Sequence, residues 1–275
     1  PQVRDRLFIV AALGGLDDFT WPEETNEQPS LRDYLEPNPQ NPKPISYQVK
    51  QCLTVWQAFL DRFPKDDELP SFPIWTMEFG ADYEYRQSTP YCMGTDTLHA
   101  FKGAFGRSMA ALSTDDVMAA LPSYARTKEE HFPRWKQLFI RQNRQFYAKH
   151  QMWIDRWLPM IRDTGFPASW QKLEWNCKGE QRNLWQLVIQ FRASGVRVKR
   201  ATTSPSLIAM TETQVPIIPW ESRYLTPREC AKLQSLGDLL ELPARRTKAF
   251  AALGNAVNAH LVQLIATRLI ATPLQ

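Results

Sequence analysis

The longest helical pattern in the chain occupies residues 127–163 and limits the folds that the chain can adopt. This stretch reads TKEEHFPRWKQLFIRQNRQFYAKHQMWIDRWLPMIRD, with Pro133 near its beginning, where a helix tolerates proline. Its polar positions are mostly Lys and Arg, interleaved with the aromatic residues Trp135, Phe146, Trp153 and Trp157. Cations with aromatics suit a nucleic-acid surface, whereas an amphipathic helix buries its tryptophans. We expect these tryptophans to be core residues.

Two further helices carry clear start signals. In SYQVKQCLTVWQAFLDRF, residues 46–63, Ser46 precedes apolar residues that recur every three or four positions and so share one face. In STDDVMAAL, Ser113 is the predicted N-cap, and Asp115 and Asp116 follow in the first turn, where negative charge is favoured. The middle of the chain is therefore predicted to be mostly helical.

Strand patterns lie on either side of these helices. VRDRLFIVAA, residues 3–12, alternates and then becomes continuously apolar, as a strand entering a buried sheet does. The polar, proline-dense residues 20–44 are predicted to be a surface connection. Residues 183–210 contain two β-rich runs with a predicted turn at Ser194 and Gly195. Strands and helices together indicate an α/β chain.

The strongest local signals lie near the C-terminus. RYLTPRECAKLQSLG contains Thr226 as N-cap, Pro227 at the first helical position and Glu229 three residues after the cap, with Gly237 as the predicted stop. A second helix is predicted in LGNAVNAHLVQLIATRLI, with Asn255 as its N-cap. A helix start of this kind presents backbone N–H groups to a carboxylate or phosphate, although an ordinary cap is the commoner case.

Charge is distributed unevenly along the chain. Residues 17–86 contain 14 Asp and Glu against 6 Lys and Arg, whereas residues 124–200 contain 16 Lys and Arg against 6 Asp and Glu. The balances are −8 and +10, although the whole chain carries only +4. A basic segment of this size suits a polyanion such as nucleic acid, and a solvated basic face is an equal alternative.

The cysteines are far apart and form no C-x-x-C pair, so the sequence indicates neither a zinc site nor a disulfide framework. We expect no metal and a reducing, cytoplasmic location. No uninterrupted apolar run approaches the roughly 20 residues of a membrane span, so no membrane partner is expected.

Three segments together resemble one family. PQVRDRLFIVA resembles the Q-x-R-x-R strand of DNA (cytosine-5)-methyltransferases, RYLTPRECAKLQSL their R-x-L-T-P-R-E helix, and ALGNAVNAHLVQLIA their closing G-N-A-V motif. SGVRVKR, with SPSLIAM and TQVPII after it, is similar to the end of their target-recognition region. The segments occur in the family's order, and residues 17–182 match nothing in it.

The resemblance implies a chain made of two parts. Residues 1–85 and 237–275 would belong to a partial S-adenosylmethionine-dependent methyltransferase domain of Rossmann-like α/β fold, and residues 86–236 to a smaller, largely helical target-recognition domain. No Pro-Cys and no Glu-Asn dipeptide occurs, so the nucleophilic cysteine and catalytic glutamate would lie in a missing N-terminal portion. Cys92 follows a tyrosine and is expected to be an ordinary thiol. We therefore expect a truncated piece or one subunit of a split enzyme, inactive alone.

The implied reaction moves a methyl group from S-adenosylmethionine to carbon 5 of a cytosine flipped out of a specific site in double-stranded DNA. Arg6 would contact the base carbonyl and stabilise charge that develops there, with Arg4 and Gln2 holding the neighbouring loop or phosphate. Residues two apart on a strand share a face, which fits this grouping. Without the resemblance, solvated arginines at a strand end would be the simpler interpretation.

The same resemblance assigns the other contacts. The residues that would bind the methionine part of the cofactor are Gly254, Asn255, Ala256 and Val257. The residues that would contact DNA phosphates are Arg192, Arg197, Lys199 and Arg200. Arg228 and Glu229 would organise the fold rather than touch substrate.

Two other functions stay open. One is a non-catalytic DNA-binding or regulatory subunit of a split methyltransferase, and the other is an RNA cytosine methyltransferase of similar architecture. Because a partial sheet leaves apolar surface uncovered, we also expect residues 1–16 and 237–275 to expose apolar side chains.

Overall fold

The computed structural model describes residues 2, 4–13, 15–16, 18–24, 29–208 and 211–271. Residues 1, 3, 14, 17, 25–28, 209–210 and 272–275, which belong to segments considered above, lie outside the described residues. The α-helices are α1 (Tyr47–Arg62), α2 (Pro90–Met93), α3 (Thr95–Leu98), α4 (Thr114–Ala120), α5 (Arg134–Arg162), α6 (Pro227–Leu233), α7 (Arg246–Asn255) and α8 (Ala259–Ala271). The strands are β1 (Ile74–Trp75), β2 (Lys172–Asn176), β3 (Val188–Arg192), β4 (Gly195–Lys199), β5 (Ile217–Ile218) and β6 (Arg223–Tyr224).

The chain divides into two compact units. Unit 1 comprises residues 1–45, 185–190 and 199–275, and unit 2 comprises residues 46–184 and 191–198. The predicted boundaries at 85/86 and 236/237 differ from these, because α1 packs on α5 within unit 2 and α6 packs on α7 within unit 1. Which unit serves catalysis and which serves target recognition stays a prediction.

An aromatic cluster joins α1 to α5 in unit 2. The Trp56 and Trp157 rings lie 5.5 Å apart, and Nε1 of Trp157 donates to the Val55 carbonyl at 2.9 Å. Both tryptophans are fully buried, so the predicted core position of Trp157 is confirmed. Trp153 is half-buried. Trp135 is 54% exposed, so its predicted core position is wrong, because it lies in the first turn of α5, beyond the α1 contact.

Helix starts follow the sequence signals. Ser46, Ser113 and Thr226 each accept a hydrogen bond from the backbone N–H three residues later, so all three predicted caps are confirmed. Pro133 immediately precedes α5.

The end of α6 differs from the prediction. The helix stops at Leu233, and Ser235, with φ of 55°, is the residue in the left-handed region. The N–H of Leu236 donates back to the Ala231 carbonyl at 2.9 Å, which closes the turn. The predicted stop at Gly237 is therefore wrong, since the chain has already turned before it.

Each unit contains antiparallel strands. In unit 2, β1 pairs with β2, and β2 lies next to β4. In unit 1, the start of β3 pairs with β5, and β5 pairs with β6. The β3–β4 turn is Ala193–Ser194, one residue from its predicted place, and Gly195 opens β4 with φ of 152°. A Cβ at Gly195 would lie 3.2 Å from the Lys172 carbonyl oxygen, so the close approach of β2 favours glycine there.

The predicted N-terminal strand is wrong for the described residues. Gln2 forms an isolated bridge to Ser204, and residues 4–12 have no regular structure. Leu7 and Ile9 are 87% and 85% exposed instead of buried. A strand requires a paired neighbour along its length, and the described part of the chain places none beside this segment. The exposed apolar side chains agree with the expectation for residues 1–16.

Candidate functional site

A pocket in unit 1 brings distant parts of the sequence together. It encloses about 640 Å³ between the segment at Gln2, the residues around Trp21, the end of α6 and one side of α8. The predicted site residues that line it are Gln2, Arg4, Arg6 and Val257. The structure thus groups all three predicted catalytic residues with one of the four predicted cofactor residues.

Arg4 ties the N-terminal segment to the end of α7. Its Nη2 donates to the Gly254 carbonyl oxygen at 2.8 Å, and its Nη1 donates to the carbonyl of Leu207. Its Nε is buried and has no hydrogen-bond partner among the described residues. Burial lowers the pKa of Arg4, and the neighbouring charge of Arg6 lowers it further. Arg4 therefore anchors backbone at two points, lines the pocket and keeps one N–H without a partner in the described chain.

Gln2 and Arg6 differ in their attachment. Gln2 Oε1 accepts from the Leu207 N–H at 3.4 Å, so Gln2 adds to the anchoring made by Arg4. Arg6 is exposed, and its hydrogen bond within the described chain goes to the carbonyl of Asp5 at 3.0 Å. A guanidinium has five N–H donors, so Arg6 keeps most of them for a ligand.

Helices α7 and α8 are separated by Ala256–Asn258 and do not form one helix beginning at Asn255. Gly254 and Asn255 are the last residues of α7, where carbonyl groups and not N–H groups lack partners within the helix, so the predicted helix start at Asn255 is wrong. Asn258 caps α8 instead, because its Oδ1 accepts from the Leu261 N–H at 3.1 Å. Val257 lies in the break and lines the pocket.

The same break interrupts an apolar stretch. By length and composition alone, the 26-residue stretch Arg246–Ala271 is the one segment of the described residues that could cross a membrane. A single stretch of this kind is weak support for a span, and here it is two helices.

Gln234 holds this break in place, and the sequence analysis missed it. Its buried Nε2 donates to the carbonyls of Leu253 at 2.8 Å and Ala256 at 3.4 Å. The backbone carbonyl of Gln234 accepts a hydrogen bond from the Ala259 N–H at 2.9 Å. Gln234 ends the RYLTPRECAKLQ motif, but its partners lie 19 and 22 residues further along, so local spacing gave no signal for them.

A buried ion pair supports the start of α6. The two oxygens of Glu229 accept from Nη1 and Nη2 of Arg223, each at 2.8 Å. The same carboxylate accepts from the N–H groups of Thr226 at 2.8 Å and Glu36 at 2.9 Å. Burial and these hydrogen bonds make Glu229 part of the framework of unit 1, as expected. That it does not touch substrate stays a prediction. The sequence analysis did not single out Arg223.

The predicted DNA contacts lie on or beside the β3–β4 hairpin. Arg197 Nε and Nη2 each lie 2.7 Å from Glu174 Oε2, so much of its charge is already neutralised. Burial lowers the pKa of Arg192, and the charge of Arg197 lowers it further. Lys199 is half-buried at the end of β4, and Arg200 is exposed. A DNA role for these four residues stays a prediction.

Among the described residues, we find no second candidate site formed by cysteines or by metal-binding side chains. Cys52 and Cys230 are fully buried, and burial raises the pKa of both thiols, which disfavours the nucleophilic thiolate. Cys92 is exposed. No group of three His, Cys, Asp or Glu residues in the described ranges is placed to hold a metal ion.

Comparisons with known proteins match the C-terminal part of this sequence. A family model for the C-5 cytosine-specific DNA methylase matches residues 102–271, more than half of the chain. The chain belongs to the C-5 cytosine-specific DNA methylase family. The matched range includes α6, the α7–α8 break and α8, and it begins after Arg4 and Arg6.

One curated relative is the Type II methyltransferase M.AluI of Cellulosimicrobium cellulans, 39% identical over 142 residues. The matched residues make up 50% of this chain and 26% of the relative, so the similarity spans about a quarter of that methyltransferase. No solved structure matches the chain.

Proposed function

We propose that the chain is the C-terminal portion of a DNA (cytosine-5)-methyltransferase that acts on a flipped cytosine in a specific duplex site. The observation that carries this proposal is the pocket of unit 1, where Gln2, Arg4 and Arg6 lie beside the G-N-A-V segment of a C-5 cytosine-specific DNA methylase. The nucleophilic cysteine and the catalytic glutamate would come from an N-terminal portion, in the same protein or in a partner subunit. A cytoplasmic restriction–modification role goes with this proposal.

The pocket fits S-adenosylmethionine, the methyl donor of this reaction. Its volume of about 640 Å³ falls within the roughly 300–1,000 Å³ of small-molecule sites. Arg4 Nε, buried without a partner in the described chain, suits the donor's carboxylate, and Glu23 and Glu24 suit its ammonium. Val257 and Leu261 form an apolar wall. When bound, the donor supplies an electrophilic methyl group.

The protein's own contribution would be positioning and electrostatic stabilisation. Arg6 would donate to the base carbonyl oxygen, where negative charge develops when a nucleophile adds to the ring. Arg4 and Gln2 would hold the segment that carries Arg6, because both bond to Leu207 and Arg4 also bonds to Gly254. Among the four predicted cofactor residues, Val257 would touch the donor.

A non-catalytic DNA-binding or regulatory subunit is the second candidate. The basic balance of +10 over residues 124–200 favours it, since phosphate contacts alone support binding without chemistry. An RNA cytosine methyltransferase would share the pocket and differ only in its nucleic acid.

The test mixes this chain with the N-terminal portion encoded upstream of it or beside it, tritiated S-adenosylmethionine and duplex DNA. Label in cytosine only when both pieces are present supports the methyltransferase. Arg6→Ala should then reduce transfer by about 100-fold or more, the loss typical of removing one donor from a developing negative charge. Arg62→Ala, an exposed arginine of α1, is the matched control and should leave transfer unchanged.

The remaining outcomes separate the alternatives. Salt-sensitive duplex binding without label would leave a recognition subunit and remove the enzyme. Label in RNA but not in DNA would support the RNA methyltransferase.

A further inference from the structure

Unit 2 contains a second group of cations and aromatic rings, which the pocket does not include. The ring centroids of Trp75 and Tyr124 lie 4.4 Å apart, and those of Trp75 and Trp135 lie 6.5 Å apart. Lys136 and Lys172 lie against these rings. We call these five residues the lysine–aromatic site.

Lys172 is a half-buried ammonium held by ring faces. Its Nζ lies 4.6 Å from the Tyr124 centroid and 4.9 Å from the Trp75 centroid. No hydrogen bond or ion pair reaches this Nζ from the described part of the chain. Burial lowers the pKa of Lys172, the charge of Lys136 lowers it further, and Glu78 partly opposes both. An ammonium has three donors, so Lys172 has unused capacity to bind an anion.

Lys136 is held in a similar way. Its Nζ donates to the Tyr124 carbonyl at 3.2 Å and lies 5.7 Å from the Trp135 centroid. Burial lowers the pKa of Lys136, and the described residues supply no carboxylate partner for it. Two neighbouring ammonium groups disfavour each other's charge, so a shared anion would stabilise both.

Glu78 does not serve as that anion, because other donors already occupy it. The carboxylate is fully buried, accepts from the hydroxyls of Tyr83 and Tyr124, and pairs with Arg144 Nε at 2.9 Å. These bonds fix the Tyr124 ring and leave the two lysines for a group from outside. Trp135 is the exposed edge of the site.

We propose that Lys136 and Lys172 together hold a backbone phosphate of duplex DNA, with Trp135 packed beside it. The inference rests on the proposed function, which supplies DNA as the partner. The start of α5 favours an anion as well, because Arg134 is exposed there and the first turn contains no acidic residue. Phosphate contacts fix a protein's position on the duplex and do not read sequence.

The test is the salt dependence of duplex binding by the full chain. The slope of log K against log salt concentration becomes shallower by about 0.9 for each B-DNA phosphate that the protein no longer neutralises. Lys136→Gln with Lys172→Gln should reduce the slope by that amount and weaken binding equally on duplexes of different sequence. Lys149→Gln is the matched control. Lys149 lies on α5, as Lys136 does, but it already pairs with Asp67 at 2.8 Å, so this variant should show the salt slope of the unaltered chain.

A second measurement uses the unaltered chain, since Lys172 lies in strand β2 and its replacement acts on folding. Duplex DNA should protect Lys136 and Lys172 from an amine-acylating reagent, while the exposed Lys65 of unit 2 stays reactive. An unchanged slope, unprotected lysines, or a loss confined to one DNA sequence would overturn the phosphate assignment and leave methyl transfer intact. A chain that does not bind duplex DNA at all would overturn the phosphate assignment, and methyl transfer would still be decided by the assay with both pieces.

Discussion

Arg4 Nη2 lies 2.8 Å from the carbonyl oxygen of Gly254, so a side chain near one end of the sequence holds the last turn of a helix 250 residues later. Arg6, only two residues away, makes no such long-range bond in the described chain and is exposed. The two arginines of one short motif thus have different physical roles. Arg4 anchors the segment, and Arg6 has N–H donors available for a ligand.

This difference predicts that two alanine substitutions change the free energy of unfolding by different amounts. Arg4→Ala should lower the free energy of unfolding by about 1–2 kcal/mol, because the carbonyls of Gly254 and Leu207 lose a charged donor. Arg6→Ala should change it by less than about 0.5 kcal/mol, as exposed substitutions usually do. Urea unfolding followed by tryptophan fluorescence measures both. Equal losses would show that Arg4 is not an anchor.

Glu229→Gln should be among the most destabilising single changes in unit 1. It removes one of the two carboxylates that pair with the buried Arg223 guanidinium, the other being Glu221 at 2.7 Å, and the lost charged hydrogen bonds should cost about 1.5–3 kcal/mol. The exposed Glu241→Gln is the control, with a change below about 0.5 kcal/mol. Guanidinium unfolding curves give both values, and similar midpoints for the two variants would contradict the prediction.

His150 should make the stability of unit 2 depend on pH. The imidazole lies 4.8 Å from the Phe146 ring and 5.3 Å from the Phe63 ring, and burial, followed by the charge of Lys149, lowers its pKa below the usual 6.5 despite Asp67. The unfolded chain therefore takes up the proton more readily. The contribution of His150 to the free energy of unfolding is therefore complete above about pH 6.5, the unfolded pKa. It is lost as the pH falls through the lower pKa of the folded state.

The measurement is the urea midpoint between about pH 8 and pH 5, where His150→Gln should remove the decline. His131→Gln replaces an exposed histidine, and this variant should still show the decline of the urea midpoint. A decline of the same size in His150→Gln would assign the pH dependence to other groups.

Gln234→Ala should loosen the start of α8. The carbonyls of Leu253 and Ala256 lose their donor, which should cost about 1–2 kcal/mol, and amide hydrogen exchange from Ala259 onward should accelerate. Gln51→Ala, an exposed glutamine of α1, should leave exchange in α8 unchanged. Slow exchange in both variants would mean that Asn258 alone fixes the helix start.

The sequence predicted structure well where the decisive partners are close along the chain. Ser46, Ser113 and Thr226 were identified as caps because each bonds to a backbone N–H three residues away. The hairpin at Gly195 followed from local turn chemistry in the same way.

Features that depend on distant partners were not predictable. Asn255 and Asn258 are equally good caps in isolation, and the bonds from Gln234 decide that α8 begins after Asn258. Trp135 and Trp157 occupy similar positions in one amphipathic pattern, but only the second faces α1. In the candidate site, the family resemblance supplied Gln2, Arg4, Arg6 and Val257, yet the division of labour between Arg4 and Arg6 depends on the position of α7 in space.

The break at Ala256–Asn258 also sets the rotational phase of α8. An α-helix turns about 100° per residue, so a helix that began at the same place in space but one residue earlier or later in the sequence would present Leu261, Leu264 and Ile265 rotated by about that angle. All three line the pocket, and the rotation would carry them away from it without breaking a single bond inside the helix. The residue at which α8 begins, fixed by Asn258 and Gln234, therefore determines which side chains the helix offers to a bound molecule.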